Sequence, residues 1–300
     1  MDAKNTITFI VGPTASGKTQ WALERAAQEK AVILNGDSLQ VFRGLDIGTA
    51  KPSQAEREIC PHFLFDIVEL GGSFTAGQYR RAALEVIEKE IAKHNIFIVG
   101  GSGFYLQALE KGMFEVEAVP DEVVEAIEAE VESQGLEAKW LELQSRDPEA
   151  SQKIHPNDQY RIVRALSVIR HSGQTWTALQ KKKATSTERL SDHYFVKKIG
   201  ISIEKEVLQK RVMLRTHKML QSGLIEEVQA VRALVGESWP PLQSVGYKEV
   251  LLYLNNQLSK EDLSAAIVQS TLRLAKKQMT WFKRDPEILW VSSEVEPKKI

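Results

Sequence analysis

The segment GPTASGKT, residues 12–19, constrains what this chain can fold into more than any other feature. It matches G-x-x-x-x-G-K-[S/T] at every position, follows the apolar run Ile7–Val11 and precedes a helical pattern over 18–29. Glycines permit backbone angles that turn successive N–H groups inward, and the start of a helix adds partial positive charge. The sequence therefore predicts a phosphate-binding loop between a strand and a helix, made of Gly12, Pro13, Thr14, Ala15, Ser16, Gly17, Lys18 and Thr19.

Two side chains at the end of this loop suit a phosphate ligand. Lys18 supplies a point charge to terminal phosphate groups, and Thr19 offers a hydroxyl to Mg²⁺ or to a phosphate oxygen. We therefore expect Mg²⁺ as the metal and Thr19 as a ligand to it. The structural alternative is a glycine-rich turn that binds nothing.

The phosphate loop alone does not define the reaction. Nucleotide hydrolases usually place an aspartate at the end of a second apolar strand, where it holds Mg²⁺. The run Ile96–Val99 ends instead in Gly100-Gly101-Ser102-Gly103, without an acid. The nearest acid after a strand is Asp37, which could hold the metal through water, act as a general base, or form a turn.

Short apolar runs rich in Val, Ile and Phe recur in the first hundred residues, and helical patterns separate them. The runs are Ile7–Val11, Ala31–Leu34, Phe63–Val68 and Ile96–Val99, and the helical patterns cover 18–29, 53–59 and 75–94. This alternation predicts the α/β class, with a P-loop parallel sheet flanked by helices.

After residue 112 the pattern becomes helical, and we expect no strand before the run Phe195–Ile201. We predict an inserted all-helical subdomain at 112–194 and a P-loop catalytic core at 1–111 and 195–300. The helices of the insertion are expected near 121–133, 135–145, 157–171 and 175–180, those of the core near 204–221, 224–235 and 259–283, and Ile288–Val291 is expected as an edge strand.

The composition is that of an ordinary globular protein, with 43% hydrophobic and 26% charged residues. The single cysteine, Cys60, excludes an internal disulfide and fits a reducing compartment. No stretch approaches the roughly 18 apolar residues of a membrane span. We therefore expect a cytoplasmic protein that does not enter the membrane. Basic residues at 181–183 and 273–284 form either solvated helix faces or a surface that binds a polyanion.

Several segments, in this order along the chain, resemble the tRNA dimethylallyltransferase family, also called tRNA isopentenyltransferases. They are GPTASGKT, GDSLQVFRGLDIGTAKP, VGGSGFYLQAL, HPNDQYRIVRAL, RTHKMLQSGLIEEV, SVGYKEV and RLAKKQMTWFKR. The resemblance extends from residue 7 to about residue 291. DIGTAKP and VGYKE are far more specific than the phosphate loop, which many unrelated enzymes share.

The resemblance implies a reaction and its partners. Enzymes of this family transfer a dimethylallyl group from dimethylallyl diphosphate to the exocyclic amine of the adenosine just 3′ of a tRNA anticodon, and they release diphosphate. The loop at 12–19 then binds the diphosphate of a reactant and not a nucleoside triphosphate. The implied partners are the tRNA anticodon stem-loop and dimethylallyl diphosphate, and we expect a monomer without an obligate protein partner.

The family's functional residues also carry over by motif. The resemblance implies that Asp37 is the general base, that Thr19 contacts the diphosphate and that Arg215 clamps it. The residues implied to contact tRNA are Asp37, Ser38, Leu39, Gln40, Ser102, Tyr160, Arg161, Ile162, Val163, Arg164, Gln243, Ser244, Val245, Gly246, Tyr247, Lys248, Lys276, Lys277 and Gln278. Two positions depart from the family: Ser102 stands where a threonine is usual, and Thr216 where an aromatic or aliphatic residue is frequent.

Two other functions compete with prenyl transfer. A small-molecule or nucleotide kinase that uses ATP suits the phosphate loop and Asp37 equally well. The helical insertion, the basic C-terminal helix and the lack of an acid after Val99 count against it. A nucleotide-gated module that binds RNA without catalysis would leave Asp37 and Arg215 without a role.

Overall fold

The computed structural model describes residues 6–113, 119–186 and 188–293. The chain divides into two compact units. The first consists of Met1–Glu110 and Arg189–Ile300, and the second of Lys111–Glu188. The predicted insertion, 112–194, overlaps the second unit but extends six residues beyond its end.

The strands of the first unit form one parallel sheet in the order β3-β2-β4-β1-β5-β6. They span Thr6–Val11 (β1), Ala31–Asn35 (β2), His62–Phe63 (β3), Asn95–Val99 (β4), Phe195–Ser202 (β5) and Leu289–Ser292 (β6). The central strands consist mainly of buried aliphatic and aromatic residues, as strands covered on both faces do. The predicted parallel sheet and its final edge strand are confirmed.

Helices surround this sheet and make up the second unit. In chain order the α-helices span Lys18–Glu29 (α1), Gln54–Arg57 (α2), Ala76–Glu90 (α3), Gly103–Lys111 (α4), Asp121–Gln134 (α5), Leu136–Arg146 (α6), Pro148–Lys153 (α7), Gln159–Ser172 (α8), Trp176–Ser186 (α9), Leu190–His193 (α10), Lys205–Gln221 (α11), Leu224–Val235 (α12), Tyr247–Leu254 (α13) and Lys260–Phe282 (α14). A 3₁₀ helix covers Pro240–Gln243. Within the described ranges, no helix combines the length and apolar character needed to cross a bilayer.

The predicted strand Phe63–Val68 is wrong beyond its first residue. β3 ends at Phe63, because Leu64 and Asp66 take positive φ angles of 65° and 57° that an extended strand cannot contain. The Asp66 carboxylate accepts hydrogen bonds from Lys51 at 2.6 Å and from Arg57 at 2.8 Å, which hold this irregular segment in place. Most of this apolar run therefore belongs to a loop and not to a strand of the sheet.

In the described part of the second unit, helices and their connections make up the chain, and no strand is found. Helices α5 to α8 pack around a common apolar core that includes Ile127, Leu143 and Leu166, all fully buried. Above this core Arg170 pairs with Glu130 and Glu142. Hydrogen bonds from Arg170 and Lys139 lower the pKa of Glu130 to about 2, so this carboxylate stays charged through the physiological range.

Two apolar clusters organise the first unit. Helix α1 packs one face on strands β1, β2 and β4 through Trp21, Ala22 and Ala26. The second cluster joins the segment after β2 to helices α12, α13 and α14. Val41 and Leu45 of that segment are fully buried there. The chain that follows β2 is therefore fixed by long-range packing rather than by local secondary structure.

A single carboxylate holds the next part of that segment. Glu227 on α12 accepts hydrogen bonds from the backbone N–H groups of Asp46 (2.9 Å), Ile47 (2.7 Å) and Gly48 (3.0 Å). It also accepts one from the hydroxyl of Tyr247 at 2.7 Å. A Cβ on Gly48 would lie 2.4 Å from the Tyr247 ring, so glycine is needed for this close approach. Three backbone N–H groups and one hydroxyl therefore share the two oxygens of a single side chain.

We predict that Glu227→Gln lowers the free energy of unfolding by about 2–3 kcal/mol, because an amide turns its own N–H groups toward backbone donors. Glu226→Gln, on the exposed neighbouring residue, is the matched control and should change stability little. Urea unfolding followed by fluorescence measures both. Equal stability of the two variants would contradict the role given to Glu227.

Candidate active site

The predicted phosphate loop has the backbone that such a loop requires. Gly12 and Gly17 adopt φ angles of 145° and 97°, in the range that glycine tolerates best. The N–H of Ser16 donates to the carbonyl of Pro13 at 3.2 Å, which closes the turn. A Cβ on Gly12 would lie 2.7 Å from the carbonyl oxygen of Ile201 on β5, so the neighbouring strand also demands glycine. The loop then leads directly into α1.

Three cationic side chains converge on this loop. Lys18 Nζ donates to the carbonyl of Pro13 at 2.7 Å. Arg215 donates to the hydroxyl of Thr14 at 3.0 Å, and Arg211 donates to the carbonyl of Ser16 at 3.0 Å. Arg211 and Arg215 lie four residues apart on α11 and therefore on one face of it. The sequence analysis missed Arg211, although its spacing from Arg215 was a usable signal.

Asp37 lies in a turn that begins at the end of β2. Its N–H donates to the side-chain oxygen of Asn35 at 2.8 Å, and its Oδ1 accepts from the N–H of Leu39 at 2.9 Å. Asn35 is fully buried and also donates to the carbonyls of Asp37 and Leu64. Sequence reasoning missed Asn35, which was signalled only by a polar residue at the end of an apolar strand.

The turn after β4 is pressed against the turn after β2. A Cβ on Gly100 would lie 2.0 Å from the carbonyl oxygen of Gly36, so only glycine fits there. Ser102 Oγ accepts from the N–H of Ser38 at 2.9 Å and lies 3.1 Å from the Ser38 hydroxyl. Ser102 therefore fixes the residue beside Asp37, which a threonine hydroxyl would also be able to do.

Lys18 and Arg215 lie close enough to Asp37 for its charge to act on the pKa of both. Burial lowers the pKa of Lys18 to about 8, with the charge of Asp37 opposing this shift and that of Arg215 adding to it. Burial likewise lowers the pKa of Arg215, and the charge of Asp37 again opposes the shift. Two partly desolvated cations beside one carboxylate favour an anion as the ligand of this site.

Most of the residues at 243–248 that were predicted to contact tRNA are not exposed to solvent. Tyr247 is fully buried, and burial together with the neighbouring Glu227 raises its pKa. Ser244 donates its hydroxyl to the carbonyl of Pro241 at 2.6 Å, and Gly246, at φ 94°, donates its N–H to Glu249. Gln243 and Lys248 are exposed, and Val245 is half-buried.

The remaining predicted contact residues of the first unit lie in different settings. Leu39 is half-buried, and Gln40 donates to the carbonyls of Thr49 and Ala50, at 3.0 and 3.3 Å. Lys276 and Lys277 are exposed on α14. Gln278 is bound to two loops of the unit and is not free on the surface.

The predicted contact segment 160–164 starts helix α8 in the second unit. Tyr160 is 79% exposed, an unusual position for a large aromatic residue. Arg161 is exposed and pairs with Asp158, and Arg164 is half-buried. Ile162 and Val163 are buried in the core of the second unit. In this segment only Tyr160, Arg161 and Arg164 therefore have side chains that a ligand can reach.

Oxygen ligands suited to Mg²⁺ are present near the phosphate loop. Thr19 is half-buried on the first turn of α1, and Asp37 supplies a carboxylate that faces Lys18. Magnesium is usually held by one or two carboxylates together with substrate phosphates, so this donor set fits the ion. The fit rests on oxygen chemistry alone.

A second carboxylate cluster is also spaced for a metal ion. Ligand atoms of Glu110, Asp285 and Glu287 lie within 4.8 Å of one another. The ammonium of Lys198 already lies among them, bonded to Glu110, to Asp285 at 2.8 Å and to Glu287 at 2.7 Å. Lys198 pairs with Phe9, in the middle of β1, whereas the phosphate loop follows the end of that strand. This cluster is best explained as an ion-pair network.

Comparison with known proteins gives a consistent family. The family model described as IPP transferase matches residues 40–285. A tRNA dimethylallyltransferase of Bdellovibrio bacteriovorus is 43% identical, covering 96% of this chain and 93% of its own. That of Geobacter metallireducens is 40% identical, covering 97% and 93%.

Solved structures agree with this result. The full-length tRNA isopentenylpyrophosphate transferase of Bacillus halodurans superimposes with a TM-score of 0.69 at 30% identity, covering 98% of this chain and 92% of that one. The phosphate loop, the Asp37 turn and Arg215 lie together within a chain that matches these relatives over nearly its whole length. The chain therefore belongs to the tRNA dimethylallyltransferase family, the IPP transferases.

Proposed function

We propose that this protein transfers a dimethylallyl group from dimethylallyl diphosphate to the exocyclic amine of the adenosine 3′-adjacent to a tRNA anticodon. The observation that carries the proposal is the juxtaposition of an anion loop, two desolvated cations and the Asp37 carboxylate in one unit. That arrangement suits a reaction in which an anion departs while a neutral amine loses a proton. Its relatives' name supports the same reaction.

The phosphate loop holds the leaving diphosphate in this proposal. The prenyl carbon–oxygen bond breaks, and the bonding electrons leave with the diphosphate, which gains negative charge. Loop N–H groups, Lys18 and Arg215 stabilise that charge, and Thr19 contacts the same group. The hydrogen bonds from Lys18 to Pro13 and from Arg215 to Thr14 place both cations at the loop.

Asp37 takes the proton from the attacking amine. The adenine amine is a weak nucleophile, so a carboxylate positioned beside it assists as the carbon–nitrogen bond forms. Asn35 and Ser102 hold the turn that carries Asp37, through the backbone N–H groups of Asp37 and Ser38. The carboxylate itself accepts from the N–H of Leu39, and its charge acts on Lys18 and Arg215.

Both units supply candidate contacts to the RNA. The adenosine has to leave its stack to reach Asp37, and anticodon loops are bound through splayed bases, aromatic stacking and phosphate contacts. In the second unit Tyr160 offers an exposed ring, with Arg161 and Arg164 nearby on α8. In the first unit the exposed candidates are Lys248, Lys276 and Lys277.

Mg²⁺ is the metal we propose, held by Thr19 together with the diphosphate, which leaves the Asp37 carboxylate to act as the base. When bound, it would neutralise part of the charge that develops on the leaving group. Lys18 and Arg215 serve the same purpose from the protein side, so they share this task with the ion.

Transfer of label tests the proposal directly. Purified protein is incubated with isotope-labelled dimethylallyl diphosphate and unmodified tRNA, and tRNA with guanosine in place of the target adenosine is the control. We expect label in the first tRNA and none in the second. ATP consumption without label in RNA would favour the kinase instead, and RNA binding without turnover would favour a binding module.

We predict that Asp37→Asn lowers turnover by about 10²–10⁴-fold with little change in tRNA affinity, because a general base is lost. Asparagine keeps a side-chain oxygen for the N–H of Leu39, so the turn should survive. Single-turnover rates at saturating tRNA measure the effect. Wild-type turnover in this variant would exclude Asp37 as the base.

Binding of dimethylallyl diphosphate should take up protons above neutral pH. The pKa of Lys18 is about 8 in the free protein, and a bound anion stabilises the protonated form and raises it. At pH 8.5 we expect uptake of roughly three-quarters of a proton per ligand, and affinity that falls as pH rises through this range.

Calorimetry in two buffers of different ionisation enthalpy measures this uptake. Lys18→Arg is the control, because a guanidinium stays charged at these pH values and should abolish the Lys18 contribution. Equal proton uptake by the wild type and the variant would show that Lys18 does not titrate on binding.

Replacing Lys276 and Lys277 together by alanine should weaken tRNA binding and flatten its salt dependence. Each lost phosphate contact lowers the slope of log affinity against log salt by roughly 1. Lys260→Ala, at the exposed start of the same helix, is the matched control and should leave the slope unchanged. An unchanged slope in the double variant would place both lysines off the RNA path.

A further inference from the structure

One side chain connects the two loops of the candidate active site. Gln278 Oε1 accepts a hydrogen bond from the N–H of Thr14, in the phosphate loop, at 2.8 Å. Gln278 Nε2 donates to the carbonyl of Gly101, in the turn after β4, at 3.1 Å. The amide of a single residue on α14 is therefore shared between two loops that are far apart in sequence.

The turn after β4 is shaped to admit this amide. A Cβ on Gly101 would lie 2.3 Å from Gln278 Nε2, and the Gly101 backbone has no positive φ angle that would itself require glycine. A Cβ on Gly103 would lie 2.3 Å from Trp281 Nε1, on the same helix. Helix α14 therefore packs closely on this turn, and the glycines leave room for its side chains.

Hydrogen bonds continue from both ends of the amide toward the reacting groups. On one side, Thr14 accepts from Arg215 at 3.0 Å. On the other side, Ser102 follows Gly101 and accepts from the N–H of Ser38 at 2.9 Å. Ser38 is the neighbour of Asp37. Gln278 thus lies between the groups proposed to hold the diphosphate and the carboxylate proposed to accept the proton.

We infer that Gln278 is a positioning residue that sets the distance between the phosphate loop and the turn carrying Asp37. The inference rests on the proposed function and differs from the expectation that Gln278 contacts tRNA. An amide suits this position because it carries an acceptor and a donor together, whereas a carboxylate cannot donate and an ammonium or guanidinium cannot accept. Its loss separates the reacting groups without removing any of them.

Substitution of Gln278 should therefore lower the turnover rate and leave substrate affinity nearly unchanged. Misplacement of reacting groups by about 1 Å can cost roughly a hundredfold in rate. We expect Gln278→Ala to lower the single-turnover rate by about tenfold to a hundredfold, with dissociation constants for tRNA and dimethylallyl diphosphate close to those of the wild type. Gln278→Glu keeps the acceptor for Thr14 but loses the donor to Gly101, so it should also be slow.

Gly101→Ala provides an independent way to displace the same amide. The added methyl group meets the end of a flexible side chain, so the fold should accommodate it while the hydrogen bonds of Gln278 break. The rate should fall as in Gln278→Ala. In the double variant the methyl group has nothing left to displace, so its rate should match that of Gln278→Ala within about twofold.

Amide hydrogen exchange tests the contact without relying on activity. The N–H of Thr14 should exchange roughly tenfold faster in Gln278→Ala, because its acceptor is gone. Gln269→Ala, an exposed glutamine on the same helix, is the matched control and should change neither exchange nor rate. Wild-type exchange at Thr14 in Gln278→Ala would overturn the proposal.

Kinetic measurements distinguish a positioning role of Gln278 from direct contact with RNA. Weaker tRNA binding with a normal rate at saturation would assign Gln278 to RNA contact and overturn the inference. Additive losses in the Gly101→Ala/Gln278→Ala variant, or full activity of Gln278→Glu, would overturn it too. A wild-type protein that transfers no label would defeat the proposed function instead, and the exchange result at Thr14 would still stand by itself.

Discussion

The site depends on the close approach of the turns that follow β2 and β4. These strands are neighbours in the parallel sheet, so their carboxyl ends meet, and the carbonyl of Gly36 is pressed against Gly100. No side chain fits between them. This contact allows Ser102 to reach Ser38, and it brings the Asp37 turn beside the phosphate loop that follows β1. The pairing of β2 with β4 therefore brings the two turns together, and their glycines leave room for this close contact.

Burial disfavours the charged forms of Lys18 and Arg215, and an anionic ligand would offset this penalty. Lys18 and Arg215 are buried enough for the pKa of each to fall, and Asp37 is the anion that opposes the fall. Their hydrogen bonds go to groups of the phosphate loop itself. An incoming diphosphate replaces those weak acceptors with a full anionic charge, which makes the protonated cations more stable. In the proposed reaction, the binding of the diphosphate and the stabilisation of its developing charge then depend on the same two side chains.

Local signals in the sequence predicted most of the sheet and the long helices. The phosphate loop, the central strands and the long helices follow from spacing and apolar pattern. The position of Asp37 after β2 follows in the same way, whereas its role as base is implied by the family resemblance and stays a prediction. The strand at 63–68 failed because ion pairs of Asp66 and positive φ angles override an apolar pattern. The contacts of Glu227 and Gln278 were beyond such reasoning. The backbone groups that Glu227 binds lie 179 to 181 residues away, and those that Gln278 binds lie 177 and 264 residues away. Neither the composition nor the hydrophobic periodicity of a sequence indicates a hydrogen bond between residues that only tertiary packing brings together.

Three adjacent residues of helix α14 that the family resemblance assigns to tRNA contact have different surroundings in the structure. Successive residues of an α-helix point about 100° apart, so neighbours in sequence serve different surroundings. Lys276 and Lys277 are exposed, whereas Gln278 turns toward the phosphate loop and the turn after β4. A segment matched as one RNA-contacting run therefore contains residues with separate tasks. One face is available for the phosphates of a nucleic acid, and the other holds the catalytic loops in register. A tRNA bound by the lysines would therefore contact the same helix whose Gln278 joins the phosphate loop to the turn after β4.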